Sequence, residues 1–330
     1  MAVSAFVTGA SGFVGTNLVH LLVEKGYQIR ALVRNPDRVP HLHTLGIDLI
    51  PGDLNVNPAD LAQQMQGCSV LFHVAAHYSL WQRDRDILHQ SNVLGTRNIL
   101  AAARQAGIER TVYTSSVAAI GVDPSGQPGT EAYQSPPEKL IGDYKKSKYW
   151  AEQEAVNAVQ QGQDIVIVNP STPIGPWDAK PTPTGEMILK FLRGQMPVYV
   201  ETGLNLIHVR DVVMGHLLAL EKGKRGDRYI LGHQNLTLGE ILNRLATLTG
   251  LPRPWGAIPI QLPLAVAWID EMLLTKLGKP PSVPIAGVQM ARQKMFYDAS
   301  KAVKELGLPQ SPIDQALQDA IDWFQEHGYA

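Results

Sequence analysis

Val3-Ser4-Ala5-Phe6-Val7-Thr8-Gly9-Ala10-Ser11-Gly12-Phe13-Val14-Gly15 opens with a short apolar run that leads directly into three glycines spaced three apart. Val3–Val7 reads as a strand, and Asn17–Lys25, closed by Gly26, as a helix. The glycines therefore fall in the turn between the two. Gly9 permits a tight turn. Gly12 leaves out the Cβ where phosphates would press on the helix N-terminus, and Gly15 lets the helix approach the sheet. With Ser11, Phe13 and Val14 the loop predicts a site for a dinucleotide pyrophosphate, favoured by the helix-end amides and macrodipole. The competing use is a glycine-rich turn that binds nothing.

Outward from this loop, β-type runs alternate with helical patterns, as in a parallel sheet with crossover helices. Further strands are expected at Gln28–Arg34, Asp48–Ile50, Val70–Val74, Thr111–Ser115 and Ile165–Asn169. Helices are expected at Pro58–Gln66, Asp86–Ala106 and Asp143–Gln161. From about residue 171 prolines punctuate the chain around a helix at Glu186–Leu192. Short strands near Val198–Val200, Ile207–Val209 and Tyr229–Leu231 alternate with helices at Val212–Glu221 and Leu238–Leu248, and the remainder is mainly helical. The fold class expected is α/β, a doubly wound parallel (Rossmann) sheet with a smaller, mostly helical C-terminal α/β domain. Residues 1–170 would bind the dinucleotide and 171–330 the substrate, with segments around 205–235 returning to the first domain.

Composition narrows the classes. The chain has 330 residues, 45% hydrophobic and 18% charged, which suits a globular core rather than disorder. A net charge of −1 gives no footprint for nucleic acid. The single cysteine, Cys68, excludes an intrachain disulfide and any multi-cysteine metal site. No metal is expected. The apolar stretch Leu262–Leu277 is interrupted by Asp270, Glu271 and Lys276, and is too short and too charged to span a bilayer. Core packing is the expected use of its apolar face, with skimming a membrane surface as the alternative. A soluble, cytoplasmic protein without a signal peptide is the default expectation.

Tyr144-Lys145-Lys146-Ser147-Lys148 carries the chemistry. On a helix Tyr144 and Lys148 lie one turn apart on one face. An ammonium beside a phenol lowers the phenol pKa toward working pH and makes it a usable general acid/base. A solvated lysine-rich helix face is the alternative. Thr114-Ser115-Ser116 ends the fifth strand, where a parallel sheet presents groups to its ligand crevice.

Glycine loop, strand-end serine and Tyr-x-x-x-Lys, in this order, resemble the extended short-chain dehydrogenase/reductase (NAD-dependent epimerase/dehydratase) superfamily, across essentially the whole chain. Gly52-Asp53-Leu54, Phe72-His73-Val74-Ala75-Ala76, Asn92-Val93-Leu94-Gly95-Thr96, Asn169-Pro170-Ser171 and His208-Val209-Arg210-Asp211-Val212 extend the match. Tyr78-Ser79-Leu80-Trp81, the run from Asn169 to Pro176, Lys180 to Gly185, and Gly203 to Val209 narrow it. By these the chain is similar to the hopanoid-associated sugar epimerase group and to dihydroflavonol 4-reductases.

The resemblance implies roles. Ser116, five residues before Gly121, would be the catalytic serine rather than Ser115. Tyr144 would exchange a proton with the substrate oxygen, and Lys148 would tune Tyr144 and bind the nicotinamide ribose. Asp53 and Leu54 would flank the adenine, Ala75 would line the nucleotide, and Pro170 and Ser171 would edge the nicotinamide. NAD-specific members carry an acidic residue at the end of the second strand. This chain instead has Val33-Arg34-Asn35-Pro36, with no carboxylate before Asp37. Arg34 resembles the arginine that contacts the 2′-phosphate of NADP in dihydroflavonol reductases, so NADP is favoured, with NAD as the alternative. Substrate candidates are Tyr78, Trp81, Asn92, Thr172 and Asn205. Tyr78 and Trp81 offer an aromatic wall or simple packing, and Asn92 a substrate contact or a backbone tie. Expected partners are a small-molecule substrate and no nucleic acid, with a homodimer as a candidate assembly. The activity implied is hydride transfer to or from a ketone or secondary alcohol on a small ring-bearing substrate. Alternatives are a sugar-nucleotide epimerase or dehydratase using the same Ser–Tyr–Lys set, and a dinucleotide sensor without turnover.

Overall fold

The computed structural model describes residues 3–123, 125–277, 279, 281 and 284–330. Its strands are β1 (Ser4–Thr8), β2 (Gln28–Val33), β3 (Asp48–Pro51), β4 (Val70–His73), β5 (Arg110–Thr114), β6 (Ile165–Pro170), β7 (Thr172–Ile174), β8 (Gly203–His208), β9 (Arg228–Leu231), β10 (Gln234–Thr237) and β11 (Lys294–Met295). Seven of them form one parallel sheet in the order β3-β2-β1-β4-β5-β6-β9. Strands buried on both faces need apolar side chains throughout, and Ala5-Phe6-Val7 and Ile165-Val166-Ile167-Val168 supply them. The winding direction reverses between β1 and β4. At such a switch point the loops leaving the strand C-termini diverge and open a crevice.

Helices cover both faces. Phe13–Glu24 and Val209–Lys222 pack on one, through Leu18, Leu22, Val212 and Leu217. Pro58–Met65, Gly95–Gln105 and Asp143–Gln160 pack on the other, through Leu61, Met65, Ile99 and Ala155. Buried histidines tie the layers. His73 on β4 bonds Thr8 on β1 at 2.7 Å and Thr96 on its covering helix at 3.0 Å. His216 Nδ1 donates to Val212 O, which leaves Nε2 to accept from the Thr114 hydroxyl at 2.9 Å. Burial, and for His73 also the charge of Lys148, holds His73 down to about 3 and His216 to about 4, so both are neutral at physiological pH.

The second sheet is built on β8, with β10 antiparallel along one edge and β7 and β11 parallel along the other. Its core joins Pro183–Leu192, Leu238–Thr249 and Ile313–Glu326 through Leu189, Leu245 and Phe324. A capping box between Thr237 and Glu240 and a left-handed Gly250 fix the ends of the second of these helices.

Three expectations change. Asp86–Ala106 is not a uniform α-helix, because His89–Leu94 is a π turn between Arg85–Leu88 and Gly95–Gln105. Val198–Val200 is no strand, since Tyr199 makes a single bridge to Ala257. The apolar face of the helix Gln261–Lys276 does not pack in the core. Leu262 is 58% and Trp268 61% exposed, with Val266, Ile269 and Leu273 beside them. The helix is held the other way round, with Ala267 buried and the Glu271 carboxylate accepting from Ile285 N at 3.1 Å. Among the described residues no helix is long and apolar enough to cross a membrane.

Candidate active site

The turn after β1 shows what each glycine is for. Gly9 has φ +75°, and a Cβ there would lie 2.5 Å from Ala75 N. A Cβ on Gly15 would overlap the Gly9 carbonyl oxygen. Both glycines are therefore required by the fold itself. Gly12 is different: its backbone is extended (φ −92°, ψ 172°), and the nearest atom to a Cβ would be Gly9 O at 3.4 Å. The chain leaves space over Gly12 that it does not fill. Gly12 is the N-cap of Phe13–Glu24, no side chain caps that end, and Ser11 is exposed beside it while Phe13 and Val14 are half-buried. Free helix-end amides facing an open cradle suit a phosphate.

Around this cradle, Ala75 is held over Gly9 by its N–H to Thr8 Oγ1 at 3.3 Å. Asp53 turns its carboxylate onto Asn55 N, and Asn98 Nδ2 donates to Leu54 O, so this pair forms a fixed edge. Arg34, just beyond β2, is exposed and makes no hydrogen bond or ion pair with another described residue. It lies near the loop after β4. Burial, and then Lys180 and Arg34, hold the His77 imidazole below its ordinary range against the opposite effect of Asp84.

At the end of β5, Ser116 caps Val117–Ile120 by accepting from Ala118 N at 3.1 Å, and its hydroxyl is near enough to the Tyr144 phenol to favour the phenolate. Tyr144 and Lys148 both project from Asp143–Gln160, and Lys148 Nζ donates to Thr114 O at 3.0 Å. The sequence led us to expect a lowered Tyr144 pKa. Here burial pushes it up to about 12, opposed by the nearby Ser116 hydroxyl. Burial also pushes Lys148 down to about 8, opposed by Glu152, so its ammonium still carries its charge at neutral pH. Tyr144 is thus a phenol at neutral pH, able to donate its proton.

The loop after β4 closes over the tyrosine. The Tyr78 and Tyr144 rings meet edge to face at 4.6 Å, and the Arg83 guanidinium lies 5.7 Å from the Trp81 ring centre. Asn92, in the π turn, is fully used within the protein. Its Oδ1 accepts from His77 N at 2.7 Å, and its Nδ2 donates to His77 O and to Ser147 Oγ, each at 2.9 Å. It locks the Tyr78 loop to the Tyr144 helix. Pro170 ends β6 against Leu231, and Ser171 N donates to Leu231 O. Thr172 pairs with Leu206, while the Asn205 side chain is spent on Asn235, Tyr297 O and His233 N. His208 bonds Asp319 and caps Val209–Lys222, and Trp177 stacks on His20. The buried atoms His77 Nε2, Trp81 Nε1 and Ser171 Oγ have no partner among the described residues, and all three follow the C-termini of β4 and β6. Unsatisfied groups along the crevice mouth are what a polar ligand would satisfy.

Two residues escaped the sequence reading. Glu152 is fully buried and accepts from Arg228, Gln134 and Asn169, tying the Tyr144 helix to β6 and β9. Its signal was a carboxylate one turn beyond Lys148, on the buried stripe of the helix. Lys145 is also buried, although it stands inside the quoted pentapeptide.

Fold and glycine turn together define a dinucleotide-binding α/β enzyme. A model of the NAD dependent epimerase/dehydratase family matches residues 5–232, and the chain belongs to that family. It is accordingly an NAD(P)-dependent enzyme of the extended short-chain dehydrogenase/reductase type, a class of reductases, dehydratases and epimerases. A Synechocystis sp. protein provisionally named dihydroflavonol 4-reductase is 68% identical over 333 residues, covering 100% of this chain and 96% of the relative. Sterol demethylase protein B of Methylococcus capsulatus is 35% identical, over 98% of this chain and 99% of its own. The crystal structure of gox2253 is 43% identical and superposes with a TM-score of 0.86, over 99% of each chain.

Proposed function

We propose that the chain is an NADP-dependent reductase that converts a ketone on a small, ring-bearing substrate to a secondary alcohol. The carrying observation is Tyr144 with Lys148 one turn along the same helix, Lys148 reaching Thr114 O at the strand end that also presents Ser116. When bound, the dinucleotide supplies the hydride through its nicotinamide. Ser116 holds the carbonyl oxygen and Tyr144 hands it a proton. Lys148 orients the ribose and holds its ammonium one turn from the phenol as Tyr144 gives up its proton, which bulk solvent restores once the product has left. Gly9, Ser11, Gly12, Phe13, Val14 and Gly15 cradle the pyrophosphate, while Asp53, Leu54 and Ala75 flank the nucleoside. Arg34 takes the 2′-phosphate, for which a free guanidinium is suited. Pro170 and Ser171 edge the nicotinamide, and Tyr78 and Trp81 face the ring. Residues 1–170 carry the dinucleotide and the groups that meet the reacting carbonyl, and 171–330, with segments around 205–235 returning to the first domain, close the substrate side. The relative provisionally named dihydroflavonol 4-reductase supports a reductive direction.

Calorimetric titration with NADP and NAD, followed by NADPH oxidation against a panel of ring-bearing ketones and sugar nucleotides, tests this. A preference for NADP and net NADPH consumption with a ketone are expected. Interconversion of a sugar nucleotide without net change in the cofactor would overturn the reductase reading in favour of an epimerase.

A further inference from the structure

Among the described residues Lys145 has no counterpart for its charge. The residue is 7% exposed, and the polar contact of its ammonium is the Met295 thioether, Nζ to Sδ 3.9 Å. A thioether is a weak acceptor. Other buried charges nearby are matched: Glu152 by Arg228, and Lys148 by Thr114 O with Glu152 one turn on. An unpaired buried ammonium is costly, and its place in the first turn of Asp143–Gln160 adds repulsion from the helix macrodipole. Burial lowers the Lys145 pKa to about 8. Nothing among the described residues repays that cost.

The position of the ammonium says what could. Ile285–Met290 bridges the substrate side of the crevice: Ala286 lies 3.6 Å from where a Gly142 Cβ would stand, and Leu80 lies 3.4 Å from the same point on Gly287. Met295 continues that segment and pairs with Leu204 of β8. Lys145 therefore sits between the start of the Tyr144 helix and the 285–295 segment, which itself touches the Tyr78–Trp81 loop through Leu80. We infer that Lys145 binds a carboxylate of the substrate, so that the enzyme acts on an oxo acid whose carbonyl oxygen meets Tyr144 while its carboxylate meets Lys145. One cation matches one carboxylate; a phosphate dianion would be left half-neutralised. The carbonyl half rests on the reductase reading, whereas the carboxylate half rests on Lys145.

The test reads the two halves separately. Full-length protein labelled with ε-¹³C lysine is titrated by NMR, the Lys145 signal being identified by its loss in Lys145→Met and again in Lys145→Arg. 3-Benzoylpropionate, a ring-bearing oxo acid, is expected to raise the Lys145 pKa by about one unit or more, as an opposed charge does. Its methyl ester is expected to leave the pKa unmoved. No shift with the acid, an equal shift with the ester, or a shift only with inorganic phosphate overturns the assignment. This readout needs no turnover, so it can fail while the reductase reading stands, or hold while that reading falls. With NADPH, Lys145→Met is expected to raise KM for the acid about tenfold, the loss of one ion pair, with kcat and the ester's KM little changed and Lys145→Arg recovering part of the loss. Equal loss for acid and ester overturns it.

Discussion

Gly12→Ala and Gly15→Ala should separate ligand binding from folding within one loop. At Gly15 a Cβ overlaps the Gly9 carbonyl, an atom of the same turn that cannot step aside without moving β1 from its helix. Overpacking against backbone costs about 3 kcal/mol or more. At Gly12 the nearest atom is 3.4 Å away and the backbone is one that alanine adopts freely. The remaining cost is that of alanine for glycine at an N-cap, about 1 kcal/mol or less. In a chain of 330 residues that moves Tm by only about 1–2 °C. The new methyl, however, occupies the cradle and lifts the phosphates from the helix-end amides. Losing one charge-assisted hydrogen bond costs about 1.5–3 kcal/mol, or roughly a tenfold to hundredfold rise in Kd. Calorimetric melting reads the first quantity and titration with NADP the second. Gly12→Ala should melt near the wild type and bind weakly; Gly15→Ala should melt far lower. If Gly12→Ala bound NADP as the wild type does, the cradle would not be a phosphate site.

Tyr144→Phe should lower kcat by about a hundredfold to ten-thousandfold with nucleotide affinity kept; undiminished turnover would remove Tyr144 from proton transfer. Arg34→Ala should weaken NADP by about tenfold or more and leave NAD unaffected, and parallel loss of both would show that Arg34 does not read the 2′-phosphate. Glu152→Ala strands Arg228 and leaves Asn169 Nδ2 without its Glu152 acceptor, so urea unfolding should show a loss of about 3–5 kcal/mol. His73 and His216 have folded pKa values of about 3 and about 4, below the unfolded 6.5. The unfolded chain therefore takes up protons first as pH falls. Stability should be full above pH 6.5 and decline through that window, by at most about 1.4 kcal/mol per unit for each histidine. A flat urea midpoint between pH 6.5 and 4 would contradict neutral burial of both.

The parallel sheet and its switch point were legible because their signals are local: doubly buried strands are continuous apolar runs, and the glycines punctuate a turn. Tyr144 and Lys148 stood out as candidates because they lie one helical turn apart, and Ser116 was singled out at its strand end by the family resemblance rather than by spacing. What escaped depends on distant partners. Nothing around residue 92 announces the π turn, whose role is to turn Asn92 toward a backbone fifteen residues away. β7, β10 and β11 are short and pair only with β8, so their own residues carry little pattern. The orientation of Gln261–Lys276 was misread because periodicity shows that a face exists, not which side the rest of the chain occupies. Lys145 and Glu152 look like solvent-facing charges until their burial is seen.

β9 joins the large sheet only after the chain has laid down β7 and β8 of the small one. A gene fragment stopped at residue 170 would therefore leave Ile165-Val166-Ile167-Val168, fully buried in the intact chain, as a bare outer margin. Such a margin invites another molecule's strand in place of β9. The nucleotide half is consequently not separable at residue 170: its sheet is closed by a strand that the second half supplies.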